Sequence, residues 1–412
     1  MQEMSSHAPP LPGMPGAAGV RIAGPLAVAG GALLVVGFFL GLIENDRLSH
    51  FLHTYLVSVS WAASISLGAL FFVAVQHATR AGWGVVVRRI AELWAINIVT
   101  VALLFLPVLI SVAVRNHSLY EWLDQARTAV GGSKYSELIG HKQAYLNHVF
   151  FVIRSIGYFV AWWCVARFFF TRSLRQDETG DPQLTVQMER WSGPSLILFA
   201  ITLTLAAFDW LMSLAPEWYS TIFGLYFFAG SVVSSLSTIV VTAAYLQATG
   251  RIQATITPEH YHDLGKLMLG FVIFWGYMAF SQYMLIWYGN IPEETTWYLA
   301  RQTNGWAFIS LALLAGNLLI PFFGLLSREV KRRRRVLGIW GIWLLVFHWL
   351  DMYWLVMPSR HEQPPTFGLT DFTVAAGIGC LFLAGMLRVA SRTSWVPLKD
   401  PRLAESLAFE NY

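Results

Sequence analysis

Residues Gly338–Pro358 read GIWGIWLLVFHWLDMYWLVMP. About 20 predominantly apolar residues cross the roughly 30 Å hydrocarbon core of a bilayer as a helix. This run meets that length without a Lys or Arg, yet it holds His348 and Asp351 near its middle. The two are three apart, so they share one helix face. An ionisable side chain at that depth costs about 2.5–3.5 kcal/mol on insertion scales, which makes function the default reading.

The rest of the chain agrees with a membrane setting. Its 412 residues are 56% hydrophobic and 13% charged, with mean hydropathy +0.52. Soluble domains carry about 25% charged residues. The 18 tryptophans and 28 phenylalanines suit helices with aromatic belts at both interfaces. Working outward from Gly338–Pro358, apolar runs recur at roughly 24–43, 52–76, 91–114, 145–170, 191–214, 221–247, 265–288, 303–327 and 367–389. With 334–357 they make ten spans, and the fold class is an all-α polytopic membrane protein. The first run is longer than the 7–15-residue core of a signal peptide, and only Arg21 precedes it, so it is expected to be retained.

Residues 1–23 are rich in Pro and Gly (Pro9, Pro10, Pro12, Pro15) and are expected to be disordered. Residues 24–389 form the transmembrane domain and 390–412 a tail. Ten spans put both termini on one side. Twenty of the 28 Lys and Arg fall at the termini and even-numbered loops, above all in Lys331–Arg335. The positive-inside rule places both termini in the cytoplasm. This topology accounts for the net charge of +4 without a nucleic-acid partner. Loops 115–144 and 289–302 read as compact caps or docking surface on the outer side.

Depth follows from about 1.5 Å per residue along each span. It puts His148, Arg154, Asp209, Gln282, Tyr283, His348, Asp351 and Asp371 in one layer of the outer half. Polar groups in lipid must face a bundle interior or a cavity. The expectation is that Arg154, Asp209, Asp351 and His348 face one another. Each has a plainer reading. Arg154 neutralises an aspartate, His148 sits at the interface without a ligand, and Asp371 caps a helix. A second polar set lies on the inner side: His77, Arg80, Glu92, His262, Asp263 and Lys266. It reads either as snorkelling side chains or as the inner mouth of a proton path. Serines at 58, 60, 64 and 66, and at 231, 234, 235 and 237 with Thr238, suit close helix packing, the commoner use, or would carry water between the two polar layers.

The only two cysteines, Cys164 and Cys380, lie inside spans. No zinc or iron–sulfur ligand spacing is present, so any redox metal belongs to a partner. Haem b needs His pairs on facing helices, and His148 with His348 is the one pair available.

Four stretches together resemble a known family: SISLGALFFVAVQHATRAGWGVVVRR (64–89), DWLMSLAPEWYSTIFGLYFFAGS (209–231), SQYMLIWYGNIPEETTWY (281–298) and FHWLDMYWLVMP (347–358). They are similar to the NrfD-like (polysulfide reductase NrfD) membrane subunits, most of all the ActF type of bacterial alternative complex III. The resemblance covers roughly residues 50–360. It implies two four-helix bundles plus two peripheral helices, in a bacterial inner membrane. It implies a place in a quinol:cytochrome c oxidoreductase, with no redox centre in this chain. The partners would be an ActC-like paralogue, an iron–sulfur subunit, multihaem and monohaem cytochrome c subunits, and in some assemblies a terminal oxidase. On this reading His348, Asp351, Asp209 and Arg154 transfer protons, while His148, Gln282 and Tyr283 form a quinone pocket. The competing classes are a secondary transporter, for which Gly270, Gly276 and Pro321 would be helix breaks, and an inert anchor for redox subunits.

Overall fold

The computed structural model describes residues 18–44, 48–124, 140–252, 255–360 and 364–410. Among these there is no strand, and ten helical segments are long and apolar enough to cross a membrane. The chain is a multi-pass membrane protein. The expected disorder of 1–23 lies mostly outside the described residues. Residues from Ala18 onward are helical, against that expectation.

The spans are α1 (Ala18–Ile43), α2 (Ser49–Ala78), α3 with α4 (Val85–Ile96, Ile98–Ala113), α5 (His148–Thr179), α6 (Gln183–Trp210), α7 (Phe223–Ala248), α8 (Pro258–Gly289), α10 with α11 (Trp306–Leu313, Ile320–Leu326), α13 (Arg334–Val356) and α14 (Leu369–Ala390). Three short helices complete the set: α9 (Pro292–Ala300), α12 (Arg328–Arg332) and α15 (Leu403–Leu407). Helices α2 to α6 pack as one four-span bundle. Helices α7, α8, α10/α11 and α13 pack as the second. The pair α1 and α14 lies outside, against α2. We call the end carrying Arg80, Arg172, Arg251 and Arg332 the basic end.

Small residues set the seams. In lipid, helices gain nothing by hiding apolar surface from water, so close backbone approach supplies the packing energy. In α2 this reaches its extreme: 89% of its core window is buried, against 17% for α1. A Cβ on Gly68 would lie 2.0 Å from the carbonyl oxygen of Ser231, across the seam between bundles. Gly68→Val therefore forces the bundles apart. We expect a loss of about 1–3 kcal/mol, read as a lower melting temperature in detergent. An unchanged melt would mean that the seam yields without cost. The α1–α14 contact uses the same device, with Gly30 facing the Gly377 carbonyl.

Two spans are broken. Between α3 and α4, Asn97 donates its side-chain N–H to the Phe382 carbonyl at 2.8 Å. Between α10 and α11, Leu314–Leu319 is π-helical, just before Pro321. Proline cannot donate to the carbonyl one turn back, and the wider turn accommodates it.

Several ends run past the sequence expectation. Helix α5 continues to Thr179 and α6 starts at Gln183, a hairpin turned by Gly180 at φ 68°. Loop 289–302 contains α9. The middle of loop 115–144 lies outside the described residues. The tail is folded onto the basic end. Asp400 pairs with Arg88, the Leu398 amide donates to Asp177 at 2.8 Å, and the Ser406 hydroxyl donates to the Trp83 carbonyl at 2.6 Å.

Candidate functional site

Asp351 lies on the face of α13 that meets α7 and α8, with no exposed surface. Its carboxylate accepts from the Tyr226 hydroxyl on α7 and from the Trp275 indole N–H on α8, the latter at 3.2 Å. His348, one turn earlier, reaches the other way to α2. Its Nε2 is 2.8 Å from the Ser64 hydroxyl oxygen. Ser64 itself donates to the Trp61 carbonyl at 2.7 Å. Its one proton is therefore used, and Nε2 must be the donor to its oxygen. That assigns the proton of neutral His348 to Nε2 and leaves Nδ1 as a bare acceptor. Nδ1 faces Asp351 Oδ2 at 3.9 Å and has no hydrogen bond among the described residues. A proton on either atom can pass to the other once the gap closes by about 1 Å.

The sequence makes room for this pair. A Cβ on Gly230 would sit 2.8 Å from His348 Cε1, so α7 carries glycine where the imidazole passes. The Asn317 carboxamide, within the π-helical stretch, borders the same small space with its oxygen buried and unpaired.

Beside the pair lies a cavity of about 480 Å³. Tyr226 and Trp275 form part of its wall, and Tyr283, Tyr298, Arg301 and Trp354 line it further. It opens toward lipid, because Phe280, Leu311 and Leu314 on its rim are 60%, 61% and 46% exposed. Arg301 is buried and, among the described residues, donates only to carbonyls: Trp297 at 2.9 Å, Leu355 at 2.8 Å and Trp354 at 3.2 Å. Its guanidinium also stacks 3.3 Å from the Trp297 ring. Burial pushes its pKa down to about 9, so it remains a cation at neutral pH. A second cleft, of about 250 Å³, touches Arg301 from the end opposite the basic one. Arg301 thus stands between the lipid-facing cavity and the outside of the bundle.

The first bundle holds a separate ion pair. Arg154 binds both oxygens of Asp209 at 2.8 and 2.9 Å. The Tyr158 hydroxyl donates to the same carboxylate at 2.7 Å. Arg154 also donates to the Tyr145 carbonyl at 2.9 Å and lies over the Tyr145 and Phe150 rings. No hydrogen bond or ion pair among the described residues joins this set to His348 or Asp351. The expected single layer of four facing residues is therefore corrected to two sites. A bidentate pair satisfies both of its charges, and nothing remains to draw a third across the seam.

The expected quinone pocket also divides. Tyr283 lines the cavity and accepts from Gln302 at 3.3 Å. Gln282 is buried but is not part of that wall. His148 begins α5 in the other bundle, 3.2 Å from Arg115. It is not among the residues that line the cavity with Tyr283, and its helix belongs to the bundle opposite that of His348.

At the basic end, Glu92 is held by Arg89 at 2.9 Å and Arg88 at 3.5 Å, and Arg89 also binds Asp177 at 2.8 Å. His77 stacks on Phe169, and Asp263 pairs with Lys266 at 2.5 Å. This network ties helices and tail together. Asp371 caps its helix as read, accepting from the Gly368 amide at 2.8 Å. It also takes part in a chain missed in the sequence. His50 lies 3.1 Å from Asp371 and 2.6 Å from Glu44, which links α14, α2 and the end of α1.

Tyr226, Trp275 and Arg301 were likewise not singled out, and Ser64 was named only among the packing serines. Arg301 had a signal: it is the one basic residue in loop 289–302. The others look like ordinary aromatic or small packing residues until the helices are assembled.

No protein-family model matches this chain, and no curated protein compared with it is similar.

Proposed function

We propose that the chain is the quinone-binding, proton-handling membrane subunit of a respiratory quinol:electron-carrier oxidoreductase, of the alternative complex III type. The observation that carries this reading is the lipid-facing aromatic cavity whose wall, Tyr226 and Trp275, hydrogen-bonds directly to the buried Asp351. A quinone ring needs a flat, apolar slot reached from the membrane, with a few polar groups at one edge. Tyr283 and Arg301 supply an edge of that kind.

Quinol oxidation releases two protons and two electrons. The electrons leave to iron–sulfur and haem partners outside this chain. The protons need acceptors close to the ring. Tyr226 connects the cavity wall to Asp351, and Asp351 faces the bare Nδ1 of His348. A carboxylate and an imidazole in series are suited to that transfer. The membrane would be a bacterial inner membrane with the basic end cytoplasmic, as the Lys and Arg distribution supports.

The test is binding of a short-tailed ubiquinone or menaquinone analogue to the purified chain, followed by quenching of tryptophan fluorescence. Saturable binding is expected in the wild type and is lost in Ala279→Trp, which fills the cavity from α8. The same binding in Ala279→Trp rejects the cavity as the site. No saturable binding in the wild type rejects the quinone reading. Isolation from native membranes should also bring iron–sulfur and cytochrome subunits with the chain, and a chain recovered alone argues against the complex.

A further inference from the structure

We infer that the groove between the two bundles and the α1–α14 pair is a binding site for one anionic phospholipid. The groove has a volume of about 510 Å³ and is walled by α1, α2, α7, α13 and α14. It runs from the basic end, at Arg251 and Trp395, to Gly379 and Leu345 nearer mid-membrane. Its sides are hydrocarbon and aromatic, with Ile65, Val241 and Phe382 among them.

Two features at the basic end point to a ligand. The Arg251 guanidinium has no carboxylate or hydrogen-bond partner among the described residues, although it is half-buried. Trp395 is 4% exposed, and its indole N–H has no acceptor among the described residues. A buried donor without an acceptor costs about 1–3 kcal/mol. Both groups call for an anionic oxygen, and the groove beyond them calls for hydrocarbon chains. A phosphodiester carrying acyl chains has both parts in that order. An isoprenoid quinone could fill the groove but offers no anion to Arg251. A soluble phosphate offers nothing to the groove. Basic residues near a membrane surface each add about 1 kcal/mol of attraction to anionic lipid. The site lies apart from the Asp351 cavity and does not depend on the quinol reading.

The chain is purified in mild detergent as wild type, Arg251→Gln and Gly379→Phe, and retained lipid is measured by mass spectrometry. Gly379 lines the groove and nothing lies within 4 Å of a Cβ built there, so a phenylalanine at this position starts from open space in the groove wall. Delipidated protein in nanodiscs is then titrated with phosphatidylglycerol and with phosphatidylcholine. The wild type is expected to retain about one anionic phospholipid and to prefer phosphatidylglycerol. Arg251→Gln should weaken that preference by about fivefold, the equivalent of one basic residue. Gly379→Phe should abolish retention while Arg251 is intact. Retention unchanged in Gly379→Phe overturns the site. So does a wild type that takes phosphatidylcholine equally well. Should Arg251→Gln fail to accumulate, Gly379→Phe and the two titrations decide alone.

Discussion

Asp351→Asn is expected, on the proposed function, to lower quinol-dependent electron transfer by about 10²-fold or more in an assembled complex, the usual weight of a positioned acid–base group. The substitution keeps the shape but removes the exchangeable proton. It also changes the hydrogen bonds. The carboxylate accepts from Tyr226 on one oxygen and from Trp275 on the other. An amide can accept at its oxygen only, so one buried donor loses its partner, at about 1–3 kcal/mol. A modest drop in melting temperature should therefore accompany the loss of turnover. His348→Gln is the companion variant. It should keep the Ser64 contact in part but remove the Nδ1 that faces Asp351. Its turnover should fall with a changed pH profile, whereas a purely structural role would shift stability and leave the profile alone. Wild-type turnover and proton release in assembled Asp351→Asn would remove Asp351 from the mechanism and favour an inert anchor.

Arg154→Met destabilises the first bundle by about 3–5 kcal/mol, because it leaves a carboxylate buried without its counter-ion. Asp209 has no exposed surface, and neutral tyrosine hydroxyls, that of Tyr158 and that of Tyr145, are the donors left to its carboxylate. Combining Arg154→Met with Asp209→Leu should restore most of the loss. Replacing a buried ion pair as a unit with apolar groups of similar size is often neutral. Thermal unfolding in detergent measures both. The double variant also separates the two sites. With no hydrogen bond or ion pair among the described residues linking Asp209 to Asp351, it should retain the quinone binding proposed for the second bundle. A single variant as stable as the wild type would mean that Asp209 does not carry its charge in the fold. Loss of quinone binding in a stable double variant would mean that the two sites are coupled after all.

Much of the membrane architecture was legible in the sequence, because a bilayer imposes one length and one polarity on every span. The ten runs and the cost of His348 and Asp351 follow from that constraint alone. Where the expectation failed, it failed in the direction of rotation. Depth along a helix can be counted from sequence, but the neighbour that a side chain faces cannot. Arg154 and Asp351 were set at similar depth, and they belong to different bundles. His148 and Tyr283 were grouped for the same reason and lie apart. Arg301 escaped notice because it stands in a connecting segment, where a basic residue has a plain topogenic reading.

The sequence by itself determined the fold class, the number of spans and the unusual cost of the polar residues in Gly338–Pro358, since hydrocarbon thickness and desolvation act on each segment separately. Only the tertiary structure decided that Asp351 answers to Tyr226 and Trp275, that Ser64 sets the His348 tautomer, and that Arg154 closes on Asp209 instead. Those pairings depend on how close two helices approach. That distance is governed by residues with almost no side chain, Gly68 across the central seam and Gly230 within the second bundle, whose role appears only when the facing helix is in place.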